Sequence, residues 1–160
     1  MIYSLEEQMG SLLRERGLKI AFAESCTGGL LSNRVTNGPG SSEYFLGSLV
    51  AYAYEAKVGL LGVSWETLKA YGAVSRETVL EMARGARNAF QTDIAVSISG
   101  IAGPGGGMPS KPVGTVWLAL VAIDGEWTRL FHFSGEREQI KAASADAALR
   151  LILVYLEGKL

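Results

Sequence analysis

The spacing of apolar positions changes period along the chain, and each change marks an element. Ser4-Leu5-Glu6-Glu7 has the Ser-x-x-Glu pattern of a capping box, and Leu5, Met9, Leu12 and Leu13 follow at helical intervals. Gly17 suits the left-handed residue past a helix end, so the first element is an amphipathic helix. Residues 18–23 alternate apolar with small or polar groups and predict a strand. The polar, glycine-rich Glu24-Ser25-Cys26-Thr27-Gly28-Gly29 breaks that alternation, and helical spacing resumes at Leu30-Leu31. Asn37-Gly38-Pro39-Gly40 reads as a loop, with Ser41 or Ser42 capping a short segment through Phe45.

Residues 47–52 predict a second strand, and 55–61 and 64–71 two short helices, the latter capped by Ser64 and stopped at Gly72. Ser75 caps a longer helix whose Val79, Met82, Ala83, Ala86 and Phe90 form one stripe. A strand over 94–99 runs into a second glycine-rich loop, 100–107. Residues 115–123 are apolar almost throughout, as in a strand covered on both faces. Asp124-Gly125 is a hairpin signal with 127–133 as the partner strand, and Ile140, Ala143, Ala147, Leu151 and Val154 line a last helix. Helices at both ends and between strands, with one late hairpin, predict a single α/β domain over residues 1–160: three α/β/α layers around a mixed sheet.

Composition narrows the function. At 160 residues, 48% hydrophobic and 19% charged, the chain can bury a core without covalent staples. Lys+Arg at 15 against Asp+Glu at 16 gives a net charge of -1, so no general basic field gathers the phosphates of a nucleic acid, and no nucleic-acid partner is expected. No apolar run approaches the roughly 20 residues of a membrane-spanning helix, and residues 1–10 lack a basic-then-apolar export signal. A cytoplasmic protein with no membrane partner is expected. The single cysteine, Cys26, excludes an intrachain disulfide and a thiolate-rich zinc site; the single histidine, His132, excludes a zinc site of two or three imidazoles. A hydrolase built on this chain calls for a base other than histidine.

Ligands of α/β sheets settle beyond the carboxyl ends of strands, and both polar glycine turns directly follow predicted strands. The first places a hydroxyl, a thiol and helix N-terminal N–H groups together, a setting for a developing oxyanion or a phosphate; the plainer reading is that Ser25 or Thr27 caps the helix. In the second, Ser99 precedes glycines whose N–H groups suit an anion nest, or a surface loop. It is not a Walker A loop, since Lys111-Pro112 leads into a strand. Lys57 becomes a general base if burial lowers its pKa, and a serine–lysine pair is the economical hydrolytic arrangement in a chain with one histidine. Arg137, in the first turn of the last helix, opposes the helix dipole and wants an anion, from a ligand or from Glu136 or Glu138. Cys26 reads as a small buried hydrophobe, His132 as a packed or edge residue, and Trp117, Trp127 and Phe131 as sheet-face packing.

Several separated blocks resemble the CinA C-terminal domain family. They are Ala23-Glu24-Ser25-Cys26-Thr27-Gly28-Gly29, Gly40-Ser41-Ser42, Tyr52 with Glu55-Ala56-Lys57, and Gly72-Ala73-Val74-Ser75. Later come Ser97-Ile98-Ser99-Gly100-Ile101-Ala102-Gly103-Pro104, Lys111-Pro112-Val113-Gly114-Thr115-Val116-Trp117, and Phe133-Ser134-Gly135 with Arg137. They stand in the family's order and span nearly the whole chain. The resemblance implies a stand-alone nicotinamide-nucleotide amidohydrolase, which converts nicotinamide mononucleotide to nicotinic acid mononucleotide and ammonia with a serine–lysine dyad and neither metal nor cofactor. Carried over, the base is Lys57, and Tyr52, Ser99 and Arg137 fall on polar site positions. The nucleophile is Ser25 or Ser42, with local physics favouring Ser25. Thr27, Gly28 and Gly29, together with Gly100, Gly103, Gly105, Gly106 and Lys111, are expected to hold the substrate. The chain departs from the family's common Tyr-Ser-Asn-Glu-Ala-Lys block by carrying Ala53 and Tyr54, which bears on substrate range and turnover. The alternative is a nucleotide-binding regulatory module of the competence- or damage-inducible type. A homodimer is expected, through an exposed sheet edge or the last helix.

Overall fold

A computed structural model describes residues 2–160. Over them the elements run α1 (Leu5–Arg16), β1 (Ile20–Glu24), α2 (Leu30–Thr36), a 3-10 turn at Ser41–Glu43, β2 (Phe45–Val50), α3 (Tyr54–Leu61) and α4 (Trp65–Tyr71). There follow α5 (Arg76–Phe90), β3 (Ile94–Gly100), β4 (Thr115–Ala122), β5 (Gly125–His132) and α6 (Arg137–Leu156). The sheet order is β2-β1-β3-β4-β5, with β1 parallel to β2 and β3, and β4 antiparallel to β3 and β5. This is the mixed three-layer α/β/α fold that the sequence predicts.

Strand alternation divides the core. Ile20 and Phe22, Val96 and Ile98, Leu118 and Leu120 pack beneath α1, α2 and α6 through Met9, Leu13, Leu31, Val35, Ile140 and Ala148. The intervening positions carry small groups, Ala23, Ala95, Ser97 and Ala119, and α5 lies over them with Val79, Met82, Ala83 and Ala86. A strand face lined with alanine admits a helix closely, and that approach carries α3 inward as well. A Cβ on Gly85 of α5 would sit 1.9 Å from the Leu61 carbonyl oxygen at the end of α3, so the contact exists only because that position lacks a side chain.

Helix ends match their local chemistry. Ser4 and Glu7 form the capping box, Gly17 is left-handed at φ 64°, and Ser64 and Ser75 cap α4 and α5. Most strand boundaries shift by one or two residues from the sequence reading, and two of these shifts have a local cause. Strand β2 starts at Phe45 rather than Gly47, because the parallel pairing with β1 absorbs an irregularity after Ile20 that places Leu46 out of register. The hairpin turns at Ile123 and Asp124 rather than Asp124-Gly125: Ala122 pairs with Gly125, and Gly125 opens β5 because the Trp127 ring occupies the space of its Cβ.

Strands β1, β2 and β3 all finish at one end of the sheet, where β5 also finishes and β4 begins. Residues 25–29, 51–53, 101–114 and 133–136 therefore gather at that end. The chain leaves β1 toward β2 on one side and enters β3 on the other, the arrangement that opens a crevice at strand ends. No helix among the described residues is long and apolar enough to cross a membrane.

Candidate active site

Lys57 is 0% exposed, although its side chain is among the longest in the core. It shares the inner face of α3 with Leu61, one turn on, and the Gly85 contact presses that face against α5. Its Nζ lies 2.9 Å from Ser25 Oγ, 2.8 Å from the Ala51 carbonyl and 3.0 Å from the Tyr52 carbonyl. No carboxylate among the described residues pairs with it. Burial disfavours the cation and lowers its pKa to about 8, despite a small opposing contribution from the neighbouring Cys26. The partner set fits a neutral amine. Two carbonyls only accept, so they use two N–H bonds, and the remaining lone pair faces a hydroxyl that can donate.

Ser25 follows β1 directly, 7% exposed, with its N–H donating to Ile98 of β3 at 3.0 Å. Gly28 and Gly29, at φ 59° and 102°, let the turn reverse into α2. The α2 N-terminus is not open to an anion, contrary to the sequence expectation. The buried Glu24 carboxylate occupies it, accepting from the Leu31 N–H at 3.0 Å and the Ser32 N–H at 3.1 Å, and from Thr27 Oγ1 at 2.7 Å. Thr27 is thus tied to Glu24 and is not a helix cap. The N–H groups of Cys26, Thr27 and Gly29 donate to no oxygen acceptor among the described residues. Sequence reasoning missed Glu24, since a cap supplied by the preceding strand has no i to i+3 pattern.

Across the crevice, Arg137 at the start of α6 donates to the Tyr52 phenol oxygen at 3.0 Å and the Gly103 carbonyl at 2.8 Å. These neutral acceptors leave the guanidinium charge uncompensated, and Glu136 caps α6 instead of pairing with it. Ser99 is buried and donates to the Ala73 carbonyl at 2.8 Å, which ties β3 to the approach to α5. Gly100 lies against Val116 of β4, Gly103 against Val113, and Gly105 and Gly106 are exposed. Lys111 donates to the Tyr71 carbonyl at 2.6 Å, at the end of α4.

The structure brings Ser25, Lys57, Tyr52 and Arg137 to one end of the sheet and leaves Ser42 at the other. Ser42 is exposed in the 3-10 turn before β2, whose first residue pairs with Ile20 at the start of β1; β1 alone spans about 13 Å. Within one chain Ser42 therefore does not reach Lys57. Cys26 is buried, and burial pushes its thiol pKa up to about 11, opposite to an activated thiolate. His132 is exposed on the β5 edge, and Trp127 packs against Tyr155 with ring centroids 5.4 Å apart.

The chain is similar to known proteins over nearly its whole length. A CinA-like protein of Chlorobaculum tepidum is 51% identical over 160 residues, and one of Thermotoga maritima is 48% identical over 155 residues, covering 96% and 97% of the chain. The chain spans 38% of the length of each of these curated relatives. Among solved structures, the competence damage-inducible protein A of Klebsiella pneumoniae superposes with a TM-score of 0.93 at 34% identity, covering 96% of this chain and 95% of that one. The competence/damage inducible protein CihA of Agrobacterium tumefaciens gives 0.90 at 38% identity, covering 98% and 99%. The CinA C-terminal domain model matches residues 2–156, and the chain belongs to that family.

Proposed function

We propose that the protein is an amidohydrolase that removes ammonia from the carboxamide of nicotinamide mononucleotide, with Ser25 as nucleophile and Lys57 as base. The single observation that carries this reading is the 2.9 Å contact between Ser25 Oγ and a fully buried, carboxylate-free Lys57 Nζ. The neutral amine takes the hydroxyl proton as Oγ bonds to the amide carbon, and the oxyanion turns toward the N–H groups of Cys26, Thr27 and Gly29. Collapse of this intermediate breaks the C–N bond; the proton held on Lys57 passes to the departing nitrogen, with the Tyr52 phenol as candidate relay, and ammonia leaves. Water then gives a proton to Lys57 and its oxygen to the acyl carbon, which releases the acid and restores Ser25. The positively charged pyridinium ring withdraws electrons from the amide and aids the first attack. Arg137, whose charge has no carboxylate partner, suits the substrate phosphate, and the exposed N–H groups around Gly105 and Gly106 suit its remaining oxygens.

Ammonia and nicotinic acid mononucleotide are the readouts. The wild-type protein is expected to release both from nicotinamide mononucleotide, at a rate that rises with pH around a midpoint near 8 as Lys57 loses its proton. Lys57→Ala is expected to lower the rate at least a thousandfold with the fold retained; a folded Lys57→Ala protein with wild-type turnover overturns the dyad. The solved relatives are named as competence- or damage-inducible proteins, and the second reading is a regulatory module that binds the nucleotide without turnover. Tight nucleotide binding with no ammonia release in the same assay selects it.

A further inference from the structure

We propose that Glu24 is a positioning residue that holds Ser25 and Lys57 in register, an assignment that rests on the serine–lysine reading above. Glu24 is 0% exposed and pairs with no cation among the described residues. Its carboxylate is solvated entirely by neutral donors from three places. Oε1 accepts from Thr27 Oγ1 and the Leu31 N–H, and Oε2 from the Ser32 N–H, from Ser32 Oγ at 2.5 Å and from Ser48 Oγ at 3.5 Å. A serine or aspartate at the helix cap position would satisfy α2 by itself, without the cost of burying a charge. A carboxylate one residue before the nucleophile joins the turn, α2 and β2 at a single point.

The backbone of the same residue reaches the other partner. The Glu24 carbonyl accepts the Ala51 N–H at 2.9 Å, and the Ala51 carbonyl accepts from Lys57 Nζ at 2.8 Å. Side chain and main chain of Glu24 thus fix Ser25 from one side and the seat of Lys57 from the other. Glutamine cannot replace it. Each carboxylate oxygen accepts one backbone N–H, Oε1 from Leu31 and Oε2 from Ser32, so an amide NH2 on either side faces an N–H that cannot accept and the side chain must rotate away. The substrate-holding groups, Arg137 and the 100–107 loop, belong to other elements and are not touched by this change.

The test uses p-nitrophenyl acetate as a probe independent of the nucleotide. Ser25 Oγ takes the acetyl group, Lys57 takes the proton, and p-nitrophenolate leaves in a burst before water clears the ester. Glu24→Gln is expected to lower the burst rate constant at least tenfold, with the pH midpoint unmoved and the KM for nicotinamide mononucleotide within twofold of wild type. A role in folding alone would lower the burst amplitude, through fewer folded molecules, and leave the rate constant unchanged. A rate constant within twofold of wild type, or a midpoint displaced by more than one pH unit, overturns the proposal. If Glu24→Gln does not fold, Ser32→Ala removes one donor and keeps the carboxylate. Its burst rate is expected to fall about threefold, and an unchanged rate overturns the proposal. A wild-type burst with no ammonia from the nucleotide removes the proposed substrate and leaves the positioning role standing; no wild-type burst overturns both.

Discussion

Ser25 and Cys26 are adjacent on one turn, yet their surroundings give them opposite chemistry. The hydroxyl faces a buried amine, whereas the thiol is enclosed with its pKa raised to about 11, leaving almost no thiolate near neutrality. On the proposed function, Cys26→Ser is therefore expected to keep ammonia release within threefold of wild type, and iodoacetamide to leave that activity intact; inactivation that tracks Cys26 alkylation would reverse the assignment. The residue types of this site were readable from the sequence, because a chain with one histidine and one cysteine has few other ways to make a base. Their proximity was not. It depends on α3 reaching the turn after β1, a contact 32 residues apart in the chain. Glu24 was legible only as part of a polar turn, since its partners at Leu31, Ser32 and Ser48 follow no local spacing.

Among the elements, α3 is the one that carries Lys57 to Ser25, and two glycines, Gly85 facing it from α5 and Gly59 within it, separate packing from propensity. Gly85 of α5 meets the Leu61 carbonyl where a Cβ would stand, so Gly85→Ala must push the two helices apart. It is expected to cost about 1–3 kcal/mol, read from urea unfolding, and to reduce ammonia release by shifting Lys57. Gly59, on the exposed side of α3, meets nothing within 4 Å at the same test position. Gly59→Ala is expected to stabilise by about 0.5–1 kcal/mol through helix propensity alone. The apolar stripe of α5 and the caps of α1, α4 and α5 were legible because they repeat at fixed intervals. The start of β2 and the hairpin turn were displaced by one or two residues. Both depend on what lies opposite, a register irregularity at Leu46 and the Trp127 ring over Gly125, and no window of sequence contains that information.

For the whole molecule, the buried lysine makes stability depend on pH in a defined direction. Its folded pKa of about 8 lies below the ordinary lysine value of about 10.4, so between these values the unfolded chain binds a proton that the folded chain does not. Stability contributed by this group therefore rises with pH across that window, after a constant penalty below it. Lys57→Met removes the titration while keeping an unbranched side chain one atom shorter. Urea unfolding of both proteins at pH 7 and pH 10 is expected to show wild type gaining on the variant at the higher pH. An unchanged difference would mean that the amine is charged in the native protein.

The join between Arg137 and Tyr52 spans 85 positions of the chain, and the helix that carries the guanidinium also lends Ile140, Ala148 and Ile152 to the main core. Undocking α6 would withdraw a charge from the crevice and expose the core in one event, so the far wall of the crevice shares the cooperativity of the fold.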